Sequence, residues 1–261
     1  MHGAWSIGAA SSAFLSGLLI FLEFRLHIFI VGVLCALAFQ LAGRKLLEPE
    51  IDGHQSEAAR EKKVSWLKTP PFVWLLTAGL FAGVWPEIVM IDWSSVFSKN
   101  ILLVEAGLNA IPYTVFTFAM IIGRLSINPL SKRIHVSEIA KWGGLVGSAL
   151  LLCGVVVGPL ITPTDRTLGL VVSSLFFGLA GLGVGPMVPS FFTAAGHVVG
   201  LTTAQALSRM SMVNTFTVLG AKTVMGAIAQ HSVQVAFYFP VVTLFLAGVI
   251  SSFVVTRAKT N

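Results

Sequence analysis

Leu15-Ser16-Gly17-Leu18-Leu19-Ile20-Phe21 is apolar all round, with no polar face to turn toward water. A strand of a membrane β-barrel would alternate apolar and polar residues over about ten positions. In lipid every backbone N–H must find its acceptor within its own segment, so a run of this kind crosses as a helix. The same texture continues along the chain. Apolar runs follow one another from Trp5 to Val255, most of them close to the about 20 residues that a bilayer core demands. Hydrophobic residues make up 55% of the 261 positions and charged residues only 11%, and the mean hydropathy is +0.86. A soluble domain carries about 25% charged residues, so the composition points to an all-α membrane protein, a polytopic helical bundle.

Eight spanning helices are predicted, over residues 5–22, 26–43, 72–91, 107–124, 139–161, 168–192, 207–229 and 235–256. Lysine and arginine concentrate on cytoplasmic loops. With Met1 inside, the inner side holds Arg44, Lys45, Arg60, Lys62, Lys63, Lys68, Arg124, Lys132, Arg133, Lys141, Arg209, Arg257 and Lys259. The outer side holds Arg25, Lys99 and Arg166. Both termini are therefore expected in the cytoplasm. The net charge of +6 follows from this loop asymmetry, and no nucleic-acid partner is needed to account for it; the expected surroundings are the lipid bilayer.

The one long polar segment, Arg44 to Thr69, carries Glu48, Glu50, Asp52, Glu57, Arg60, Glu61, Lys62 and Lys63. It reads as a cytoplasmic linker dividing two helices (1–43) from six (70–261). Pro70-Pro71 then opens the third span, where the first turn has no amide partner to lose. The two cysteines, Cys35 and Cys153, sit inside apolar spans without metal or disulfide spacing. The first span lacks the basic leader and early cleavage site of a signal peptide.

The six later helices can be read as two triplets whose first members run in opposite directions, a chance match in a glycine-rich membrane chain being the plainer alternative. One contains Gly83-Val84-Trp85-Pro86 and the other Gly183-Val184-Gly185-Pro186. Matched Gly/Pro interruptions in an inverted repeat point to a transporter's binding region, so Pro86, Gly183, Gly185 and Pro186 are candidate helix-break positions. Glycine also recurs at four-residue spacing: 79 and 83, 143 and 147, 154 and 158, 181 and 185. That spacing lets helix backbones approach closely.

A charge inside a bilayer costs roughly 2.5–3.5 kcal/mol, so it is a functional candidate by default. Glu87 and Lys222 lie well inside the third and seventh spans. Each stands 15 residues from its expected cytoplasmic end, so their depths match at about 22 Å and an ion pair between them is an expected arrangement. Glu87 is the candidate proton- or substrate-binding acid, with Lys222 as counter-charge; a static pair, or a lysine reaching for the outer surface, is the plainer alternative. Ser211 and Thr215 share a helix face with Lys222, and Asn214 is nearby. Asp92 and Trp93 are expected to end the third span at the outer interface. Asn109 and Tyr113 begin the fourth and are expected to reach the same outer cavity. No nucleophile–base set, phosphate-binding loop or metal spacing is evident, so neither enzyme nor cofactor is called for.

These residues resemble the Major Facilitator Superfamily, in particular bacterial inner-membrane permeases related to sugar and drug transporters. His2-Gly3-Ala4-Trp5-Ser6-Ile7-Gly8-Ala9 is similar to the start of that group's fifth helix. Glu87-Ile88-Val89-Met90-Ile91-Asp92-Trp93-Ser94-Ser95-Val96 resembles its seventh-helix motif, an acid followed by Asp-Trp-Ser. Gly123-Arg124-Leu125 resembles the start of the inner loop between helices eight and nine, and Arg133 falls in the same segment. Gly183-Val184-Gly185-Pro186-Met187-Val188-Pro189 and Ala194-Ala195-Gly196 resemble the tenth helix. The resemblance implies helices five to twelve of a twelve-helix fold, multi-pass in the bacterial inner membrane. Around a central cavity, two halves would alternate access for a small-molecule substrate, with protons as the energy source.

Three departures stand out. Helices one to four have no counterpart, which implies an N-terminal truncation or a partner chain that supplies them. Ile127 and Asn128 stand where the inner loop usually carries Gly and Asp. Ala221-Lys222-Thr223 replaces a Gly-Pro-Pro stretch. The alternative reading is a degenerate fragment, a membrane subunit that does not itself transport.

Overall fold

The computed structural model describes residues 23–46, 65–105 and 107–260. Contacts divide the chain into two units, whose described parts are residues 23–46 and 65–68 in one and 69–105 and 107–260 in the other. The first contains helix α1 (Phe24–Leu46), whose apolar stretch is Arg25–Leu41, and a short 3-10 turn at Trp66–Lys68.

The second unit is built from α2 (Pro71–Asn100), α3 (Ile111–Ser131), α4 (Val136–Ile161), α5 (Arg166–Val184), α6 (Met187–Ala195), α7 (Thr203–His231), α8 (Val233–Ala236) and α9 (Tyr238–Thr260). Among the described residues, six segments are long and apolar enough to cross a membrane: α2, α3, α4, α5 with α6, α7, and α8 with most of α9. These are the last six predicted spans. The predicted span 26–43 falls on α1, whose apolar stretch is shorter, and the span 5–22 lies outside the described residues.

Local chemistry sets the helix ends. Pro71 occupies the first position of α2, where its missing N–H costs nothing. Asp165 caps α5 by accepting from the Leu168 amide at 3.0 Å. Thr202 and Gln205 form a capping box at the start of α7. The connection between α2 and α3 turns through Leu103, at φ 53°, and Gly107, at φ 99°.

Small residues bring the helices together. A Cβ on Gly144 of α4 would stand 2.6 Å from the Gly248 backbone of α9, and one on Gly143 would stand 2.7 Å from the Gly183 carbonyl of α5. On the same α4–α5 seam Ser173 donates its hydroxyl to the Gly154 carbonyl at 2.9 Å. Fully buried Phe97, Phe177 and Phe237 knit α2, α5 and the α8–α9 junction, with centroids 4.5–6.3 Å apart. α2 is the hub, packing against α3, α5, α6, α7 and α9.

Candidate functional site

Two ion pairs lie in the bundle among the described residues, and α2 contributes the acid to both. Glu87 accepts from Arg124 Nη2 of α3 at 2.5 Å, with both side chains buried. Asp92 pairs with Lys222 Nζ of α7 at 2.7 Å, and both remain partly exposed. The expected Glu87–Lys222 pair is therefore replaced by two separate ones. The cause is the direction in which each side chain leaves the helix. Trp85, Ile88, Val89 and Asp92 line the seam with α7. Glu87 projects from nearly the opposite side of α2, about 140° from Asp92 at about 100° per residue.

Glu87 also sits deeper than expected. α2 continues for eight residues beyond Asp92, to Asn100. Glu87 thus lies about 24 Å along the helix from Pro71 and about 20 Å from Asn100, near its midpoint. Asp92 is correspondingly inside the helix rather than at its end.

Arg124 was expected to open an inner-loop motif. It stands instead within α3, seven residues before the helix ends at Ser131, and it is buried. α3 carries Pro129 in its last turn without ending there, so the loop begins only at Lys132. Asn128 is an exposed helical residue, while Arg133 is exposed in the turn that follows. Arg209, also counted as an inner-side cation, is buried and donates to Thr69 Oγ1 at 2.6 Å, tying α7 to the residue that precedes Pro70.

The two Gly/Pro sequences behave differently. Pro86 does not interrupt α2, which is continuous from Pro71 to Asn100. Packing on both sides of the helix outweighs the loss of one ladder bond. At Gly185-Pro186 the helix does divide, into α5 and α6. The break presses on the ion-pair region, since a Cβ on Gly185 would lie 2.9 Å from the Arg124 amide nitrogen. Gly183 meets Gly143 of α4.

The remaining candidates separate. Thr215 donates its hydroxyl to the Ser211 carbonyl at 2.9 Å and is exposed, as is Ser211. Asn214 lies on the buried stripe of α7 with Met210, Ala221 and Met225, and its Oδ1 is buried without a protein partner. Trp85, which sequence reasoning passed over, likewise buries an unpartnered Nε1. Its ring borders a cavity of about 10 Å³ beside Asp92 and Lys222, the space of one water. Asn109 and Tyr113 belong to the start of α3 and do not line this cavity. A larger cavity of about 450 Å³ opens where α2 and α4 begin, among Phe72, His135, Ser190, His197 and Val254. No cluster of metal-ligating side chains occurs among the described residues.

A bundle of apolar helices holding a buried acid–guanidinium pair near its middle defines a multi-pass membrane protein. The sequence profile of the Major Facilitator Superfamily matches residues 1–206, and the chain belongs to that family. It is 28% identical over 189 residues to an uncharacterized MFS-type transporter of Yersinia pestis, covering 72% of this chain and 47% of the relative. It is 25% identical over 219 residues to an uncharacterized transporter of Sinorhizobium fredii, covering 81% of this chain and 52% of the relative. The chain spans about half the length of the curated relatives it matches.

Proposed function

We propose that this chain carries the C-terminal six-helix half (70–261) of a secondary transporter, preceded by a cytoplasmic linker (44–69) and two helices (1–43) of the other half. It takes part in moving a small solute across the bacterial inner membrane by alternating access, coupled to protons, with both termini in the cytoplasm. The observation that carries this reading is the buried Glu87–Arg124 pair. An acid at mid-membrane is costly to keep charged, and a guanidinium is the partner that makes the charge tolerable. A proton on Glu87 weakens its bond to Arg124 and shifts the balance of contacts that hold the guanidinium. Protonation is thereby linked to rearrangement of α2 against α3, next to the α5–α6 break. Asp92, Lys222 and Asn214 on the α2–α7 seam, with Thr215 beside them on α7, form the proposed solute-facing side, and Asn109 and Tyr113 flank the entrance. The solute classes favoured are sugars and small amphipathic compounds. Two halves around one cavity call for four more helices, on a second chain or elsewhere in the same protein.

The test is solute uptake in cells carrying the native locus, compared with a deletion strain across a panel of sugars and amphipathic compounds under an imposed pH gradient. Gradient-driven uptake should vanish in Glu87→Gln when compared with wild type at matched membrane abundance. Normal coupled uptake in Glu87→Gln would sink the proton assignment. A panel on which wild type and deletion behave alike would turn the reading toward a non-transporting membrane subunit.

A further inference from the structure

Besides the ion pair, α2 and α3 carry two buried hydroxyls, in register with Glu87 and Arg124, to which the transporter reading gives no task. Ser94 Oγ and Thr117 Oγ1 are each buried without a protein hydrogen-bond partner. Ser94 has no exposed surface at all. Other hydroxyls on these helices satisfy themselves: Thr77 donates to the Val73 carbonyl, Ser98 to Ser94, and Thr114 to Ala110. Self-satisfaction by bonding back four residues is the usual course for a hydroxyl in a membrane helix. A buried hydroxyl left unbonded costs about 1–3 kcal/mol, so two in one seam call for a partner.

Their positions identify that partner. Ser94 follows Glu87 by seven residues on α2, and Thr117 precedes Arg124 by seven on α3. Seven residues return a side chain to within about 20° of the same face, about 10 Å along the axis. Because α2 and α3 are consecutive helices joined by the turn at 101–110, they run antiparallel, and both displacements lead the same way. Ser94 and Thr117 thus stand at one level, two turns from the ion pair, toward the 101–110 connection. Tyr113, four residues beyond Thr117, continues the line on α3. In the other direction along α2 the same face is apolar and is covered by α6. Leu80, seven residues before Glu87, is almost fully buried, and Gly83 is covered so closely by Met187 that an added Cβ would stand 2.9 Å from the Met187 Cβ.

We propose that a file of water occupies the α2–α3 seam between the 101–110 connection and the Glu87–Arg124 pair, held by Ser94 and Thr117. Each hydroxyl both donates and accepts, so each can bind a water and pass a proton along the file without net charge transfer to itself. A proton entering at the 101–110 end reaches the Glu87 carboxylate; its binding neutralises the acid and weakens the ion pair with Arg124. This inference rests on the reading of Glu87 as a proton site, but it concerns water and is measured without a solute.

The experiment is infrared observation of S–H to S–D exchange on transfer of the membrane-reconstituted full chain to D₂O, with Cys35 and Cys153 replaced by alanine. Ser94→Cys and Thr117→Cys supply separate reporters, and Leu80→Cys is the reference beyond the pair. Exchange at 94 and 117 should be at least about tenfold faster than at 80, the ratio that 1.4 kcal/mol of easier access sets. Exchange at 94 and 117 no faster than at 80 overturns the proposal, even if Glu87→Gln abolishes coupling. Fast exchange together with normal uptake by Glu87→Gln keeps the water file and removes the proton assignment instead.

Discussion

Gly123 of α3 lies directly against the carbonyl oxygen of Leu182 in α5, so close that a Cβ on residue 123 would stand 2.5 Å from it. Leu182 is four residues before Pro186, which has no N–H to offer that carbonyl. The oxygen freed by the proline and the glycine that admits it are two parts of one contact. It holds the α5–α6 break against α3, one residue from Arg124.

Gly123→Ala should therefore separate α3 from α5 and lower stability by about 1–3 kcal/mol, the range of overpacked interiors. Thermal unfolding of the purified protein in detergent measures this. A midpoint equal to wild type would show that the contact yields without cost.

Gly144 and Gly220 offer an internal contrast. A Cβ at Gly144 meets the backbone of Gly248, which cannot move aside, whereas a Cβ at Gly220 meets nothing within 4 Å. Gly144→Ala should destabilise the α4–α9 seam by about 1–3 kcal/mol. Gly220→Ala should raise stability by about 0.5–1 kcal/mol through the glycine's lost chain entropy. The same melting measurement reads both, and a matching sign in the two variants would contradict the packing described.

For the buried pair, removing one partner leaves an uncompensated charge in the bundle. Arg124→Ala should cost about 3–5 kcal/mol, and the double variant Glu87→Leu/Arg124→Met should recover much of that loss. A double-mutant cycle by chemical denaturation in mixed micelles checks it. Additive losses would mean that the two residues do not sense each other.

The Asp92–Lys222 pair should behave differently because both side chains are partly exposed. Lys222→Gln should change stability by less than about 1 kcal/mol, with the difference shrinking as salt is added. A loss comparable to that of Arg124→Ala would mean that this pair is closed off from water.

Much of the scaffold can be read directly from the residue order. The predicted spans from 72 onward correspond to α2 through α9 because each apolar run has to close its own backbone hydrogen bonds. The glycine spacings at 143 and 147, at 154 and 158, and at 181 and 185 mark real helix contacts, because the lack of a side chain is itself a property of the sequence. Helix ends were less legible. α2 runs eight residues past Asp92 since Ser94, Phe97 and Ser98 are buried by neighbouring helices, and hydropathy alone does not register that support. The same holds for Arg124: a cation beside a glycine reads as a loop residue until its acid is known.

The sequence by itself determined that this chain is a bundle of membrane helices with charges held inside it, because hydrophobicity and backbone hydrogen bonding act locally. Tertiary structure alone decided which acid met which cation. Glu87 and Asp92 are five residues apart and leave α2 in directions about 140° apart, so their partners depend on which helix stands on each side. Depth along a helix can be counted from the sequence. The rotation of that helix against its neighbours is set by side chains on all of them at once.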